Sequence, residues 1–259
     1  MLCSVLISNY NKEKYIENCL NSLSNQTYKN FEIILSDNMS TDNSVDIASK
    51  FRKIKIIKVK KISTNPAINQ INCLLEAFKI SKGGLIFLLD SDDFFSNKKL
   101  EYIVKEFKMN KFELICDIPK LYVSKFVNKN LAIKNYPKFL KNWNTIIPTS
   151  GISCTRSFFE NFKKHILQNS FESVEIDFRI NIFGNMRNEL KFFKKHSLTF
   201  YNQVNDGIMS NYTKFDKNWW KKRYLAHQYC FCLHKRNNLK FNKSLDYFFT
   251  NIVYHLLIK

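Results

Sequence analysis

Three carboxylates fall within four positions at Asp90-Ser91-Asp92-Asp93, directly after the apolar run Leu85 to Leu89. Carboxylates this close repel one another, and such a group normally shares its space with a metal ion or a cationic ligand. Two further stretches carry acids at element ends: Asp37-Asn38, after the run Phe31 to Leu35, and Glu172 to Asp177, ahead of Phe178-Arg179. Solvated turns are also rich in Asp and Asn. The acids therefore gain meaning from the elements that carry them.

Those elements alternate. Leu2 to Ile7 is a short apolar run followed by polar Ser8-Asn9-Tyr10-Asn11, and Tyr15, Ile16, Cys19, Leu20 and Leu23 recur at helical spacing. Phe31 to Leu35 reads as a second strand, Ser40 to Lys50 as a polar turn and short helix, and Ile54 to Val59 as a third strand. Ile71, Leu74, Leu75 and Phe78 mark a helix closed by Gly83-Gly84, and the fourth strand is the one that ends in the acids. Such βαβ units predict an α/β fold with a mostly parallel sheet flanked by helices. Ligands of open parallel sheets bind at the carboxyl ends of the strands, so strands one, two and four converge on one crevice. There is no GxGxxG or GxxxxGK[ST] pattern among the five glycines, which removes a dinucleotide fingerprint and a P-loop.

After Ser96 the pattern loosens. A helix is expected over Leu100 to Phe107, a short strand over Glu113 to Cys116, and an irregular basic and aromatic stretch from Asn128 to Asn144. Thr149-Ser150-Gly151 precedes a helix around Phe158 to Ile166, and its turn is either a plain loop or the border of a binding site. Residues from Lys217 onward read as a helical tail opening with Trp219-Trp220-Lys221-Lys222-Arg223. Its last segment places Leu245, Phe248, Phe249, Ile252, Val253, Leu256 and Leu257 on one stripe, expected to dock on the same domain, with a membrane surface as the alternative.

The chain of 259 residues can bury a substantial core, and its hydrophobic fraction of 45% separates it from disordered chains. Lys and Arg number 41 against 22 acids, a net charge of +19 that favours polyanions and anionic surfaces without selecting one. Seven scattered cysteines, an odd number in apolar contexts, suit reduced thiols better than a disulfide framework. His227, Cys230 and His234 share a helical face, but a structural core fits that spacing better than zinc does. No cleavable leader and no run long enough to span a bilayer is visible, so a cytoplasmic protein, soluble or peripheral on the inner face of the membrane, is expected.

Taken in order, the segments VLISNYNKEKYIENCLNSLSNQTYKNFEIILSDNMSTDNS and KGGLIFLLDSDD resemble the opening signature and the metal-binding strand end of the glycosyltransferases of family 2. The resemblance covers residues 1–100 closely and thins toward 215. It implies a GT-A (Rossmann-like) fold, with a nucleotide-sugar-binding half at 1–95, an acceptor-binding half at 96–215, and a basic, aromatic, helical extension at 216–259. It implies transfer of one sugar, with inversion, from a nucleoside-diphosphate sugar of UDP or dTDP type to a saccharide or lipid-linked saccharide hydroxyl. The expected setting is cell-surface polysaccharide or lipopolysaccharide synthesis, with an anionic membrane surface as a further partner and no nucleic acid.

Carried over residue by residue, the resemblance assigns Ser8, Tyr10 and Asn11 to the nucleotide and Asp37-Asn38 to the base, where many members have two acids. Asp92 becomes a ligand of a divalent metal ion (Mn²⁺ or Mg²⁺), Asp90 meets the ribose or the metal, and Asp93 orients the loop. Asp177 is the expected catalytic base, with Glu175 and Glu172 as rivals and Arg179 as its ion-pair partner. Two patterns depart. The late Arg-x-His element is replaced by Asn202 and Val204, with Gln203 and Ser210 as weak substitutes, and the QxxRW pattern of polymerising members is absent. Rival readings are a nucleotidyltransferase, which the glycine-free opening disfavours, and a non-catalytic polyanion-binding module built on Trp219 and Trp220.

Overall fold

A computed structural model of the chain describes residues 1–259 except 124–125, 167–169, 204–206, 208–211 and 259. In chain order the elements are β1 (Cys3–Asn9), α1 (Ile16–Ser24), β2 (Phe31–Asp37), α2 (Ser44–Ser49), β3 (Ile54–Lys58), α3 (Pro66–Ile80), β4 (Leu85–Asp90), β5 (Phe94–Phe95), α4 (Lys99–Met109), β6 (Leu114–Asp117), β7 (Lys120–Val123) and β8 (Phe126–Asn130). A single 3₁₀ turn at Thr149–Gly151 leads to β9 (Ile152–Thr155), α5 (Arg156–Lys164), α6 (Ile176–Met186), β10 (Leu190–Phe193), β11 (Thr199–Asn202), α7 (Lys217–Arg236) and α8 (Leu245–Leu257).

Seven strands form the main sheet in the order β10-β6-β9-β4-β1-β2-β3. All neighbours are parallel except β9, which runs antiparallel to both β4 and β6. Strand alternation sends Leu6, Ile34, Ile86 and Leu88 to one face, where α3, α5, α6 and α7 cover them. It sends Val5, Ile7, Leu35, Phe87 and Leu89 to the other, under α1 and α4. Both faces are apolar, as a central parallel sheet requires. A smaller sheet, β5-β11-β7-β8, stands beside it.

Local chemistry starts the helices. Asn65 caps α3 ahead of Pro66, accepting from the Ala67 N–H at 3.0 Å, and Thr155 caps α5 through the Phe158 N–H at 3.1 Å. Asp216 caps α7 through Trp219 N–H at 2.6 Å, and Ser244 caps α8 through Tyr247 N–H at 3.1 Å.

The first four strands and their helices lie where periodicity puts them. The helix expected around Phe158 to Ile166 forms as α5, preceded by a strand, β9, that the sequence did not announce, because a four-residue run with no room to alternate carries no period. Two expectations are corrected. The stretch from Asn128 begins inside strand β8 rather than in a loop. The stripe of α8 does not dock on the domain: Thr250 is the buried residue of this helix, and the stripe faces solvent. The spacing that identifies an amphipathic helix says nothing about which neighbour takes its apolar face. His227 and His234 bind no common centre; His227 Nε2 meets Asp246 at 3.1 Å and His234 Nδ1 meets the Cys230 carbonyl at 2.7 Å.

The entry to β4 is tight. A Cβ on Gly83 would lie 2.5 Å from the Ser4 backbone N and 2.6 Å from the Cys3 carbonyl carbon, whereas at Gly84 its nearest neighbour is Met1 Cγ at 3.7 Å. Gly83→Ala should therefore cost about 1–3 kcal/mol in a denaturant titration. Gly84→Ala should stay within about 0.5 kcal/mol of the parent.

Candidate active site

β1 pairs β2 on one side and β4 on the other, so its carboxyl end is the point at which the strand order reverses. The register sets Asn9 beside Asp37 and Ser8 beside Asp90. A cleft of about 1300 Å³ opens there. Ser8, Tyr10, Asn38, Asp90, Asp92 and Asp177 all line it, together with Lys12, Gln70, Thr149, Glu175, Tyr201, Asn202 and Gln203.

The three acids of the β4 turn separate in space. Asp90 Oδ1 accepts from Gln70 Nε2 at 2.7 Å and Ser8 Oγ at 3.0 Å. Burial first, and then the Asp92 charge, push its carboxyl up to about 6 against the pull of these donors. Asp92 faces the cleft with Lys12 Nζ at 3.1 Å. Asp93 turns inward and is fully buried: Oδ2 accepts from Ser150 Oγ at 2.5 Å and Oδ1 from the Asn202 N–H at 2.7 Å. Its burial and the charges of Asp92 and Asp90 hold its carboxyl well above the usual range.

Beneath the turn lies a buried cation. Lys99 Nζ sits 2.8 Å from Asp117 Oδ1 and donates to the Ser150 carbonyl at 2.6 Å and to Thr199 Oγ1 at 2.5 Å. Thr199 in turn donates to Asp117 Oδ2 at 2.8 Å. Ser150 Oγ also accepts from the Asp90 N–H at 3.0 Å. Thus β6, α4, the 3₁₀ turn and β11 are joined at one ammonium group directly under the acids.

Asp177 stands at the start of α6 on the opposite wall. Burial, reinforced by Glu175, raises its carboxyl to about 7, while Lys222 and the Phe178 N–H at 2.6 Å oppose the shift. Glu175 also lines the cleft but is ion-paired with Lys222 of α7. Glu172 is exposed and outside the cleft. Arg179 is not the partner of Asp177 among the described contacts. It is buried and donates to the carbonyls of Val174, Ile166 and Phe171 at 2.8, 2.5 and 2.8 Å, tying down the chain that leads into α6.

Two other expected residues lie behind the cleft wall rather than in it. Asp37 is buried, with Oδ1 accepting from Asn9 Nδ2 at 2.9 Å and Ser40 Oγ at 2.5 Å. Asn11, at φ 51°, donates its N–H to Ser40 Oγ at 2.9 Å and accepts from Thr41 N–H at 2.8 Å. Together they fix the turns from which Tyr10 and Asn38 project. Asn38 Nδ2 donates to the Val59 carbonyl at 3.0 Å, which anchors the amide through its nitrogen, while its oxygen is an acceptor. Asn202 and Gln203 reach the cleft, whereas Val204 and Ser210 lie outside the described residues.

Lys12, Lys61 and Gln70 were not singled out by sequence. Lys61 Nζ lies 3.9 Å above the Tyr10 ring at the cleft edge. Gln70 had a signal: with Asn69 it forms a polar pair inside the apolar face of α3, and its Oε1 is buried without a partner among the described residues.

A family model described as Glycosyl transferase family 2 matches residues 4–168. The UDP-Glc:alpha-D-GlcNAc-diphosphoundecaprenol beta-1,3-glucosyltransferase WfaP of Escherichia coli is 40% identical over 99 residues, 38% of this chain and 38% of that protein. The poly(ribitol-phosphate) beta-N-acetylglucosaminyltransferase TarS of Staphylococcus aureus is 34% identical over 103 residues, 39% of this chain and 18% of that protein. The matched segments span less than half the length of either relative. A crystal structure of S. aureus TarS 1-349 in complex with UDP-GlcNAc matches at a TM-score of 0.68 and 17% identity, covering 100% of this chain and 76% of that one. The likeness is one of fold, and the architecture is GT-A.

Two measurements test this electrostatic arrangement. An unfolded Asp ionises near 3.8, and folded Asp177 does so near 7. The folded protein therefore binds more protons across that window, and stability falls as pH rises through it. Asp177→Asn should raise the melting temperature by a few degrees at about pH 8 and hardly at all at about pH 4. Lys99→Met, which leaves Asp117 buried and uncompensated, should cost about 3–5 kcal/mol by chemical denaturation, with Asp117→Leu in the same chain restoring much of it.

Proposed function

This chain belongs to glycosyl transferase family 2, and from that membership we propose that it transfers a single sugar, with inversion, from a nucleoside-diphosphate sugar to an acceptor hydroxyl. The observation that carries the reading is that Asp90, Asp92 and Asp177 line one cleft at the carboxyl ends of β1 and β4. In the transfer, the acceptor oxygen attacks the sugar C1 as its proton passes to Asp177. The bond from C1 to the diphosphate oxygen breaks, and the nucleoside diphosphate leaves with the electron pair. A base must be ionised to act, and a pKa of about 7 suits a carboxylate to this work near neutrality.

The donor is assigned to the β1 side of the cleft. The Asn38 amide oxygen suits the N3–H of uracil or thymine, and the Tyr10 ring flanks the base. The names of the relatives favour UDP: WfaP is named for UDP-Glc, and TarS was crystallised with UDP-GlcNAc. Asp90 and the Gln70 oxygen, which has no partner among the described residues, meet the ribose, and Lys12 exchanges Asp92 for the arriving diphosphate.

The donor set fits a divalent cation. Among the described residues no three His, Cys, Asp or Glu side chains form a closed cage, and Mg²⁺ or Mn²⁺ at such sites takes only one or two carboxylates, with phosphate and water completing the shell. Asp92 would hold it, with Asp90 beside it. When bound, the ion supplies charge neutralisation to the leaving diphosphate.

The acceptors in the relatives' names, a diphosphoundecaprenol-linked sugar and poly(ribitol-phosphate), support a lipid-linked or polymer-borne saccharide here, in cell-surface glycan synthesis. Seven free cysteines suit a reducing, cytoplasmic side.

Thermal shift against a panel of nucleoside diphosphates, with and without Mn²⁺ or Mg²⁺, tests the donor site. UDP should stabilise the wild type in a metal-dependent way and should not stabilise Asp92→Ala. A UDP shift indifferent to metal and to Asp92 would remove the cation, and no shift with any nucleotide would overturn the transferase reading. Asp177→Asn should keep the UDP shift while transfer falls about 10²–10⁴-fold.

A further inference from the structure

We propose that the outer face of α8, with the aromatic start of α7, is a docking surface for an anionic lipid bilayer. Leu245, Phe248, Phe249, Ile252, Leu256 and Leu257 are each between 50% and 77% exposed, on one side of a 13-residue helix. Isolated exposed apolar residues need no explanation, but a continuous stripe of them does. The surface extends beyond the helix. The Leu245 and Asp246 N–H groups bond the carbonyls of Phe139 and Leu140 at 2.7 and 3.1 Å, setting two more exposed apolar side chains beside the first turn. Phe249 packs edge-on to Trp220 at 5.7 Å, Trp220 to Trp219 at 4.7 Å, and Trp219 to exposed Phe215 at 5.3 Å.

Charge selects the occupant. Residues 217–245 hold eight Lys or Arg and no acid, and residues 118–159 hold seven and no acid. The part of the second segment around Phe139 and Leu140 meets the first turn of α8, and Lys138, Lys217 and Lys243 are exposed. A second copy of a chain carrying +19 would bring like charge against like. An anionic headgroup layer attracts these cations, while the exposed ring and aliphatic groups enter the acyl boundary and half-buried Trp219 sits at the interface, backed by buried Trp220. The helix is too short to cross a bilayer, and no described helix is long and apolar enough to do so. It would lie in the plane of the surface.

The surface is tied to the cleft by adjacent residues. Lys222 pairs with Glu175 of the cleft wall and Arg223 with Asp246 of α8. Docking would therefore hold the cleft at a set height above the lipid. This placement stands on the surface itself and does not require the transfer reading.

The test is flotation of the full chain with phosphatidylglycerol–phosphatidylcholine vesicles and with pure phosphatidylcholine vesicles. The wild type should float with the anionic vesicles and at least tenfold less with the neutral ones. Phe248→Ser/Ile252→Ser/Leu256→Ser, at exposed positions, should lose flotation tenfold or more with an unchanged melting temperature. Lys217→Glu/Lys243→Glu should weaken it severalfold and provides a second variant if the first misfolds. Wild type left unbound, or a folded triple variant that floats as well as wild type, overturns the proposal. So does a concentration-dependent dimer, abolished by the triple substitution, in a protein that ignores vesicles. The UDP thermal shift, measured without vesicles, separates the two readings: a shift without flotation removes the docking surface alone, and flotation without a shift removes the donor site alone.

Discussion

Mutual repulsion among Asp90, Asp92 and Asp93 is the constraint on which the rest of the site depends. Each carboxylate is answered differently. Asp90 is held by the neutral donors Gln70 and Ser8, Asp92 by the Lys12 ammonium, and Asp93 by burial against Ser150 and the Asn202 N–H. Lys99 contributes from below, where its own charge is matched by Asp117. The turn can therefore present two carboxylates to a cleft at the end of a buried strand, where the full charge of three would favour solvent. This support extends through β6, α4 and β11, so elements far from the cleft also determine its shape.

Much of the first half was legible in the sequence because its signals are local. Short continuous apolar runs and helical spacings from Cys3 to Asp90 each report on a single element, and parallel order follows from the alternation of strand and helix. The position of the acids at strand ends was legible for the same reason. Which acids face the cleft was not. Asp37 and Asn11 belong to a buried hydrogen-bond cluster with Asn9 and Ser40, and whether a turn acid points inward or outward depends on partners about thirty residues away. Gln70 and Lys12 act through Asp90 and Asp92 on another strand, so no spacing reports them. Arg179 sits beside an acid in sequence, yet spends its donors on backbone carbonyls, because a buried guanidinium is best satisfied by several acceptors at once.

The tail gives the complementary lesson. The period of α8 predicts a helix with one apolar face, and the helix forms. Its packing on α7 uses the other side: Tyr254 stacks on Tyr224 at 3.8 Å, and Asp246 joins Arg223 and His227. Polar and aromatic pairing settled the interface, and the more apolar side was left outward. Hydrophobicity ranks faces by their cost in water, but it does not decide which contact a neighbouring helix can complete.

One consequence follows from the place of β9 between β4 and β6. The acid turn is complete once residue 93 exists, yet the Ser150 hydroxyl that steadies it lies 60 residues from Asp90, the Thr199 contact of Lys99 is 100 residues away, and the Asn202 contact of Asp93 is 109 away. Contacts so distant along the chain form late, because the loops they close must first be drawn together. As the polypeptide emerges during synthesis, β1, β2 and β3 can pair while the charged turn still lacks its foundation. The geometry of the cleft is then among the last features to assemble, and an incomplete chain carries the acid motif without its supports.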